Sequence, residues 1–262
     1  DALESFENWA TKELEKSPLI HADETGVNIN GKRHWLHVLC NEKVSLFHVD
    51  RKRGKEAMDN MAVLPKFNGI LCHDHWKPYF TYDCNHSLCN AHHIRELTYA
   101  EDVEDQAWAG ELKTLLLQVN DEVSQQGGIL STKRVPEIVK QYREILVRGE
   151  IETPPVKKID GKRGRVKQTK SRNLLERLRD FETETLRFMN ERMVPFTNNQ
   201  GENDLRMTKV QQKVSGCFRS MKGAEIFARV RSYINTCQKN GVRPTEALTL
   251  LFENRLPEFI QN

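Results

Sequence analysis

The stretch that decides the fold is LIHADETGVNI, residues 19–29, together with the two apolar segments that follow it. HWLHVLC (residues 34–40) comes after the turn residues Asn30 and Gly31, and VSLFHVD (residues 44–50) follows a short polar break. Each segment is rich in β-branched and aromatic residues and is bounded by turn formers, which is typical of β-strands. Because short connections join antiparallel neighbours, the pattern predicts a three-stranded antiparallel meander.

The segments on either side of the meander predict helices and further strands. Apolar residues recur at helical spacing over residues 3–16, and GKEAMDNMAVL (54–64) has a helical composition. NGILCHD (68–74) reads as a buried fourth strand, and HSLCNA (86–91) reads as a fifth that leads into the helix AHHIRELTYA (91–100). By analogy of this element order, the sequence predicts an α/β protein with a ribonuclease H-like mixed sheet flanked by helices.

From residue 101 to residue 190 the apolar spacing is wholly helical, which predicts an all-helical insertion. The sheet domain would then consist of residues 1–100 and 191–262. Within the insertion, residues 154–172 carry Pro, Gly and many cations and predict a mobile basic loop. The cations at the centre of this loop are Lys162, Arg163 and Arg165. The loop is either a solvated linker or an arm that binds phosphate groups and becomes ordered on nucleic acid.

Length and composition indicate a soluble globular protein. The 262 residues can bury a full core, and no apolar run is long enough to span a bilayer, so no membrane role is expected. The net charge of +3 arises from 40 basic and 37 acidic residues, so the placement of charge matters more than its sum. The six cysteines lack the spacing of a disulfide framework and there is no signal peptide, which predicts a cytoplasmic protein. A start at Asp1, without Met, suggests a piece of a longer chain.

A second informative stretch is TNNQGENDLRMTKVQQKVSGCFRS, residues 197–220. If it is helical, the residues that share one face with Glu202 are Arg206, Lys209 and Lys213. The adjoining face, which we expect to be buried, carries Met207, Val210 and Val214. The stretch is either a charged surface helix or a helix that presents one carboxylate with three cations. The one-sided basic charge that continues to Arg231 suits a polyanion.

Two aspartates lie in or at the end of predicted buried strands, where the negative charge of a carboxylate needs a nearby cation. Alternation places Asp23 on one face of its strand with His21 and Thr25, and Asp74 ends the fourth strand, at the edge where open sheets place their sites. A carboxylate in a buried strand is costly unless a metal ion or another cation accompanies it. Hard cations such as Mg²⁺ take oxygen ligands, and Glu202 would supply a third carboxylate.

Five linked motifs support a family resemblance. They are, in order, HADETG (21–26), GKRHWLHV (31–38), HDHWKPY (73–79), LCNAHHIREL (88–97) and NNQGENDLRMTKVQQKVSGCFRS (198–220). Together they resemble the catalytic core of DDE-type transposases of the insertion sequence 66 family over most of residues 17–250. The resemblance implies a ribonuclease H-like fold with a helical insertion before the last catalytic helix, and an acidic triad of Asp23, Asp74 and Glu202.

The resemblance also implies an activity and its partners. The expected activity is cleavage of phosphodiester bonds at element ends and strand transfer to target DNA, with two Mg²⁺ or Mn²⁺ ions on the triad. The expected partners are DNA, further copies of the chain on that DNA and accessory proteins of the element. We expect His92, Asn199 and Arg206 to support the site. The residues expected to contact DNA are Trp76, Lys77, Lys209, Lys213, Arg219 and the loop cations Lys162, Arg163 and Arg165.

Several alternatives stay open from the sequence. A hydrolytic nuclease would share the three acids, and a DNA-binding module would carry them without activity. Cys89 and His92 are either a zinc pair with their Cys and His neighbours or a buried thiol and a ring turned toward the active site. Trp76 and Tyr79 are either packing residues or platforms for an unpaired base.

Overall fold

The computed structural model describes residues 2–157 and 166–261 of the chain. Their contacts divide the protein into two compact units. The first, which we call the sheet unit, comprises the described residues of Asp1–His86 and Asn198–Asn262, and the second, the helical unit, comprises those of Ser87–Thr197. The predicted insertion boundaries, 101 and 190, lie inside the helical unit. The predicted loop cations Lys162, Arg163 and Arg165 lie outside the described residues.

A five-stranded mixed sheet has the strand order β3-β2-β1-β4-β5. The strands are β1 (Leu19–Ile29), β2 (Lys32–Cys40), β3 (Ser45–Asp50), β4 (Ile70–His73) and β5 (Asn85–Leu88), and the boundary between the units falls within β5. Strands β1, β2 and β3 pair antiparallel, as the meander predicts, and β4 pairs parallel to β1. Asn30 and Gly31 both have positive φ, as the two-residue hairpin between β1 and β2 requires.

Six helices belong to the sheet unit. They are α1 (Ala2–Glu15), α2 (Lys55–Asp59), α8 (Asn199–Ser215), α9 (Met221–Lys239), α10 (Pro244–Phe252) and α11 (Glu258–Gln261). The helix predicted over 54–64 is wrong in length, because α2 stops at Asp59. Ala62 has the left-handed φ of 59°, which an α-helix does not continue, and a separate 3-10 turn follows at Leu64–Lys66.

The sheet buries a core on each of its faces. One core joins Ile20, Ala22 and Leu39 to side chains of α1 and the C-terminal part of α9. The other joins β1 and β2 to Leu205 of α8 and Ala228 of α9. Because alternate residues of β1 face opposite cores, Asp23 lies on the side of α8 and Glu24 lies on the other side.

Helix α9 closes the outer edge of β3. Its Ser232 Oγ accepts a hydrogen bond from the amide of Phe47 at 2.8 Å, and its Thr236 Oγ1 accepts one from the amide of Ser45 at 3.0 Å. These hydroxyls bond backbone groups that an unprotected edge strand would offer to another chain. The edge of the sheet is therefore fixed to the helix that follows α8.

The helical unit contains α3 (Asn90–Glu104), α4 (Ala107–Gln125), α5 (Arg134–Glu152), α6 (Lys170–Asp180) and α7 (Glu182–Leu186). Trp108 is fully buried, and Gly149 leaves room for it, because a Cβ there would lie 3.0 Å from the indole. Tyr142 donates its hydroxyl to the carbonyl of Leu178 at 2.8 Å. These contacts give the unit a core of its own. None of the described helices in either unit is long and apolar enough to cross a membrane.

Candidate active site in the sheet unit

The two predicted aspartates lie side by side on neighbouring strands. The parallel pairing of β1 and β4 matches Leu19 with Ile70 and His21 with Cys72. Continued by two residues, the same register places Asp23 level with Asp74, which directly follows β4. The two carboxylates also interact electrostatically, because the charge of Asp74 raises the pKa of Asp23. The strand pattern therefore brings both acids to one edge of the sheet.

Asp23 sits in an environment that disfavours a bare negative charge. Its pKa is raised from an ordinary value of 3.8 to about 7, chiefly by burial and also by the charges of Glu24 and Asp74. The amide of Glu24 donates to Asp23 Oδ1 at 2.8 Å, and the charge of Lys209 also lowers the pKa, but these effects are smaller. A cation placed at this carboxylate would remove the penalty.

Asp74 is held by the turn that it begins. Its Oδ1 accepts a hydrogen bond from the amide of Trp76 at 2.9 Å, and a 3-10 turn at Lys77–Thr81 follows. This side-chain-to-backbone bond is the usual way in which an aspartate stabilises a turn. The orientation of the Asp74 carboxylate thus depends on the position of that turn.

Glu202 lies in the first turn of α8 and is half-buried. The residue before it, Gly201, is buried against β1, where a Cβ would lie 3.3 Å from the Cβ of Asp23. The absence of a side chain at this position lets the helix approach the strand closely. The structure thus brings the start of the Glu202 helix against Asp23.

Three polar side chains that the sequence did not single out anchor the start of α8. Asn198 donates its amide to the carbonyl of Ala22 at 2.8 Å and accepts from His21 Nδ1 at 2.7 Å. Gln200 donates to the carbonyl of Asn41 at 2.9 Å. The predicted supporting residue Asn199 is exposed instead. The sequence shows two consecutive asparagines, Asn198 and Asn199. Only the bonds to β1 show that Asn198 is the one that anchors the helix.

The third anchor is Asp204, which bonds to two other elements. Its Oδ2 accepts from the hydroxyl of Ser45 at 2.6 Å and from Lys239 Nζ at 2.8 Å. The side chains of Asp204 and Lys239 are only 11% and 15% exposed, so this ion pair is largely removed from water. Lys239 also donates to the carbonyls of Asn41 and Val44. The ion pair therefore ties α8 to α9 and to the loop before β3.

We expect Asp204→Ala to lower the free energy of unfolding of the sheet unit by about 3 kcal/mol, because it leaves the Lys239 ammonium buried without its carboxylate. Urea unfolding followed by tryptophan fluorescence measures this. The matched control is Glu253→Ala, since the Glu253–Arg255 pair is 51% and 67% exposed and should change stability by less than about 0.5 kcal/mol. Equal effects of the two substitutions would contradict the anchoring role of Asp204.

The prediction that Met207, Val210 and Val214 are buried is wrong. They are 50%, 45% and 81% exposed, and the buried positions of α8 are instead Gly201, Leu205 and Thr208. The bonds of Asn198 and Asp204 fix the rotation of α8 about its axis. In this rotation Gly201, Leu205 and Thr208 face the sheet. The cations Arg206, Lys209 and Lys213 are exposed, as a phosphate-binding face requires.

The carboxylates suit a hard divalent cation in their chemistry, since all three offer oxygen ligands and the burial of Asp23 disfavours a bare negative charge there. They are not drawn into a closed ligand set. Among the described residues of the sheet unit, no three Asp, Glu, His or Cys side chains bring their ligand atoms within 4.8 Å of one another. Asp23 and Asp74 lie level on neighbouring segments of the sheet, and Gly201, the residue before Glu202, packs against Asp23.

A fourth carboxylate that the sequence analysis did not assign a role, Glu24, lies next to Asp23 on the opposite face of β1. Its side chain is 1% exposed, and it forms an ion pair with Arg53 and accepts a hydrogen bond from the Tyr79 hydroxyl. Burial raises the pKa of Glu24, and the bonds to Tyr79 and Arg53 lower it. In the sequence, the period-two alternation of β1 places Glu24 on the same face as the buried Ala22.

The remaining predicted site residues have defined surroundings. Tyr79 is 1% exposed and packs in the core, which leaves it no ring face for a base. Trp76 is half-buried, and Lys77 and Arg219 are exposed. His92 is half-buried on α3 of the helical unit, one turn after the buried Cys89. Their proposed contacts with DNA or metal stay predictions.

The sheet unit thus combines a mixed sheet with an acid in β1, an acid directly after the neighbouring β4 and an acid on a helix packed against β1. The chain belongs to the IS66 transposase family, because the model of the transposase IS66 family matches residues 1–226. The family resemblance drawn from the five motifs is thereby confirmed.

A search of curated proteins found no match. Among solved structures, one similar chain belongs to the cryo-EM structure of the simian T-cell lymphotropic virus intasome in complex with the PP2A regulatory subunit B56 gamma. The two chains are 12% identical with a TM-score of 0.24, and the likeness covers 58% of this chain and 59% of that one.

Proposed function

We propose that the chain is the catalytic core of a DDE-type transposase in which Asp23, Asp74 and Glu202 hold Mg²⁺ or Mn²⁺. The observation that carries the proposal is the position of the Glu202 helix. Gly201 packs against Asp23, which lies level with Asp74 on the neighbouring parallel strand. Membership of the IS66 transposase family supports DNA as the substrate and transposition as the reaction.

We also propose that the sheet unit has the ribonuclease H-like fold. Support comes from the strand order, in which three antiparallel strands are followed by β4, parallel to β1 on its other side. The helical unit then occupies the place of an insertion between β5 and the helix that carries Glu202. This arrangement explains how the third acid comes so late in the sequence.

The chemistry proposed for the site is displacement at a phosphodiester phosphorus. In cleavage the nucleophile is water, and in transfer it is a DNA 3′-hydroxyl; its oxygen forms the new bond to phosphorus, its proton leaves, and the bond to the departing oxygen breaks. Two bound ions would activate the nucleophile and stabilise the departing oxygen. Asp23 suits this role because its burial and the neighbouring acids favour a bound cation over a bare charge.

The exposed cations of α8 would bind the DNA backbone beside the scissile bond. Lys209 is close enough for its charge to lower the pKa of Asp23, and Arg206 and Lys213 are exposed one turn before and after it. Backbone contacts of this kind position DNA without reading its sequence. We propose that the complete complex also contains further copies of the chain and accessory proteins. Within the chain, we propose contributions from Trp76, Lys77, Arg219, the basic loop, His92 and Asn199.

Substitution of two α8 cations should reduce the salt dependence of DNA binding. The double variant Lys209→Gln/Lys213→Gln is expected to flatten the slope of log K against log salt by about 2, since each lost phosphate contact on duplex DNA contributes about 0.9. Fluorescence anisotropy over a range of KCl concentrations measures the slope. Lys12→Gln/Lys16→Gln, which removes the same charge from α1 and the residue that follows it, should leave the slope unchanged. A wild-type slope in the first variant would remove α8 from the DNA interface.

The proposed function is tested by following both reaction steps with DNA from the ends of the element that encodes the chain. With Mn²⁺, the protein should nick intact ends and should join a pre-cut end to a target plasmid, which gels resolve as separate products. Nicking without joining would identify a hydrolytic nuclease instead. Neither product, together with unchanged DNA binding, would identify an inactive DNA-binding module.

A further inference from the structure

Glu24 is a buried carboxylate that the proposed chemistry does not use. It follows Asp23 in β1 but points to the opposite face of the sheet, where its Oε1 accepts a hydrogen bond from Arg53 Nε at 2.7 Å. A buried carboxylate needs a charged or hydrogen-bonding partner, and Arg53 and Tyr79 supply both. The question is what this buried ion pair connects.

Arg53 lies over two indole rings as well as beside Glu24. Its guanidinium carbon is 4.9 Å from the ring centroid of Trp35 and 4.3 Å from that of Trp76. Trp76 also packs edge to face on Tyr79, with ring centroids 5.6 Å apart. Guanidinium groups suit such a place because they are planar and can stack and donate hydrogen bonds at once, which an ammonium group cannot do.

The contacts of the Glu24–Arg53 pair involve three separate segments of the sheet unit. Glu24 is in β1, Trp35 is in β2, and Trp76 and Tyr79 belong to the turn that begins at Asp74. The amide of Trp76 donates to Asp74 Oδ1 at 2.9 Å. A displacement of Trp76 would therefore move the hydrogen bond that orients the Asp74 carboxylate.

We propose that Glu24 and Arg53 are positioning residues: the pair fastens the turn after Asp74 to β1 and thereby sets the separation of the Asp23 and Asp74 carboxylates. This inference rests on the proposed function, in which those two acids share metal ions. Groups that orient metal ligands typically change metal affinity ten- to hundredfold when they are removed. Arg53 acts here through Asp74 and has no contact with the reacting atoms.

The test compares Arg53→Lys, which keeps the charge but loses the planar group, with Arg51→Lys, an exposed neighbour two residues earlier. Hydrogen–deuterium exchange in the metal-free protein should be faster over residues 74–81 in Arg53→Lys and unchanged in α9. Mn²⁺ binding, followed by the electron paramagnetic resonance of the free ion, should be at least tenfold weaker, and DNA cleavage should recover at high Mn²⁺ concentration. Arg51→Lys should behave as wild type in all three.

The outcomes separate the inference from the function on which it rests. Unchanged exchange over residues 74–81, or faster exchange that spreads evenly through the sheet unit, overturns the positioning role, as does a wild-type Mn²⁺ affinity in Arg53→Lys. A different result would be a wild-type protein that neither binds Mn²⁺ nor cuts DNA, with faster exchange in Arg53→Lys confined to that turn. That result refutes the proposed function and leaves the anchoring of the turn established. Should Arg53→Lys fail to fold, Tyr79→Phe, which removes only the hydroxyl bonded to Glu24, is expected to change exchange and affinity in the same direction.

Discussion

Asp23→Asn, Asp74→Asn and Glu202→Gln should each lower the rate of metal-dependent strand cleavage on the order of a thousandfold or more, because each removes a charged ligand from the site where the reaction's charge is stabilised. A thousandfold loss corresponds to about 4 kcal/mol of transition-state stabilisation. The rate is measured in single-turnover reactions on labelled end DNA, with circular dichroism to show that each variant is folded.

The control for these variants is Asp83→Asn, which changes an exposed aspartate in the loop between β4 and β5 and should cleave DNA at the wild-type rate. The pattern across the three acids is informative. Full activity in any one of them would remove that residue from the ligand set, and full activity in Asp23→Asn would remove the geometric basis for the whole assignment, since the other two acids are placed by their relation to Asp23.

The same Asp23→Asn substitution should stabilise the protein when metal is removed. Burial raises the pKa of Asp23 to about 7, so the folded protein binds this proton more tightly than the unfolded chain does, whose pKa is near 3.8. Stability therefore falls as pH rises from about 4 to about 7, and the full cost of the bare carboxylate is present above that range. We expect the variant to gain about 2–4 kcal/mol at pH 8 and nothing at pH 4.

Urea unfolding in EDTA at pH 4, 6 and 8 measures this gain. Asn keeps the shape of the side chain and an oxygen for the amide of Glu24, so the comparison isolates the charge. Asp83→Asn should show no such pH-dependent gain. If Asp23→Asn is equally or less stable than wild type at pH 8, the carboxylate is compensated by the protein itself, and the electrostatic argument for a bound cation does not hold.

The sequence predicted the elements that carry the acids better than it predicted their surroundings. The strand β1 agrees with the predicted segment 19–29 at both ends, and β4 lies within the predicted segment 68–74 and ends directly before Asp74. Alternation and turn formers act over a few residues, so they are visible in one sequence. The helix around Glu202 was visible for the same reason.

Local sequence patterns could not predict the rotation of α8 about its axis or the cluster of side chains around Glu24. Leu205 is buried and Met207 is exposed because Asn198 and Asp204 bind residues more than 150 positions away in the chain. Arg53 likewise meets Glu24 only after β1, β2 and the turn beyond β4 have assembled. The α2 helix ends early, at Asp59, and the left-handed Ala62 beyond it is a residue with no turn preference of its own.

The most direct test of the central claim is a crystal structure of the protein soaked in Mn²⁺, with the ions located by their anomalous scattering. We expect Mn²⁺ to be bound by carboxylate oxygens of Asp23 and Asp74, with Glu202 of α8 as a further ligand, and we expect the signal to be lost in crystals of Asp23→Asn. Mn²⁺ bound elsewhere while these three carboxylates hold no ion, under conditions in which the protein cuts DNA, would contradict it.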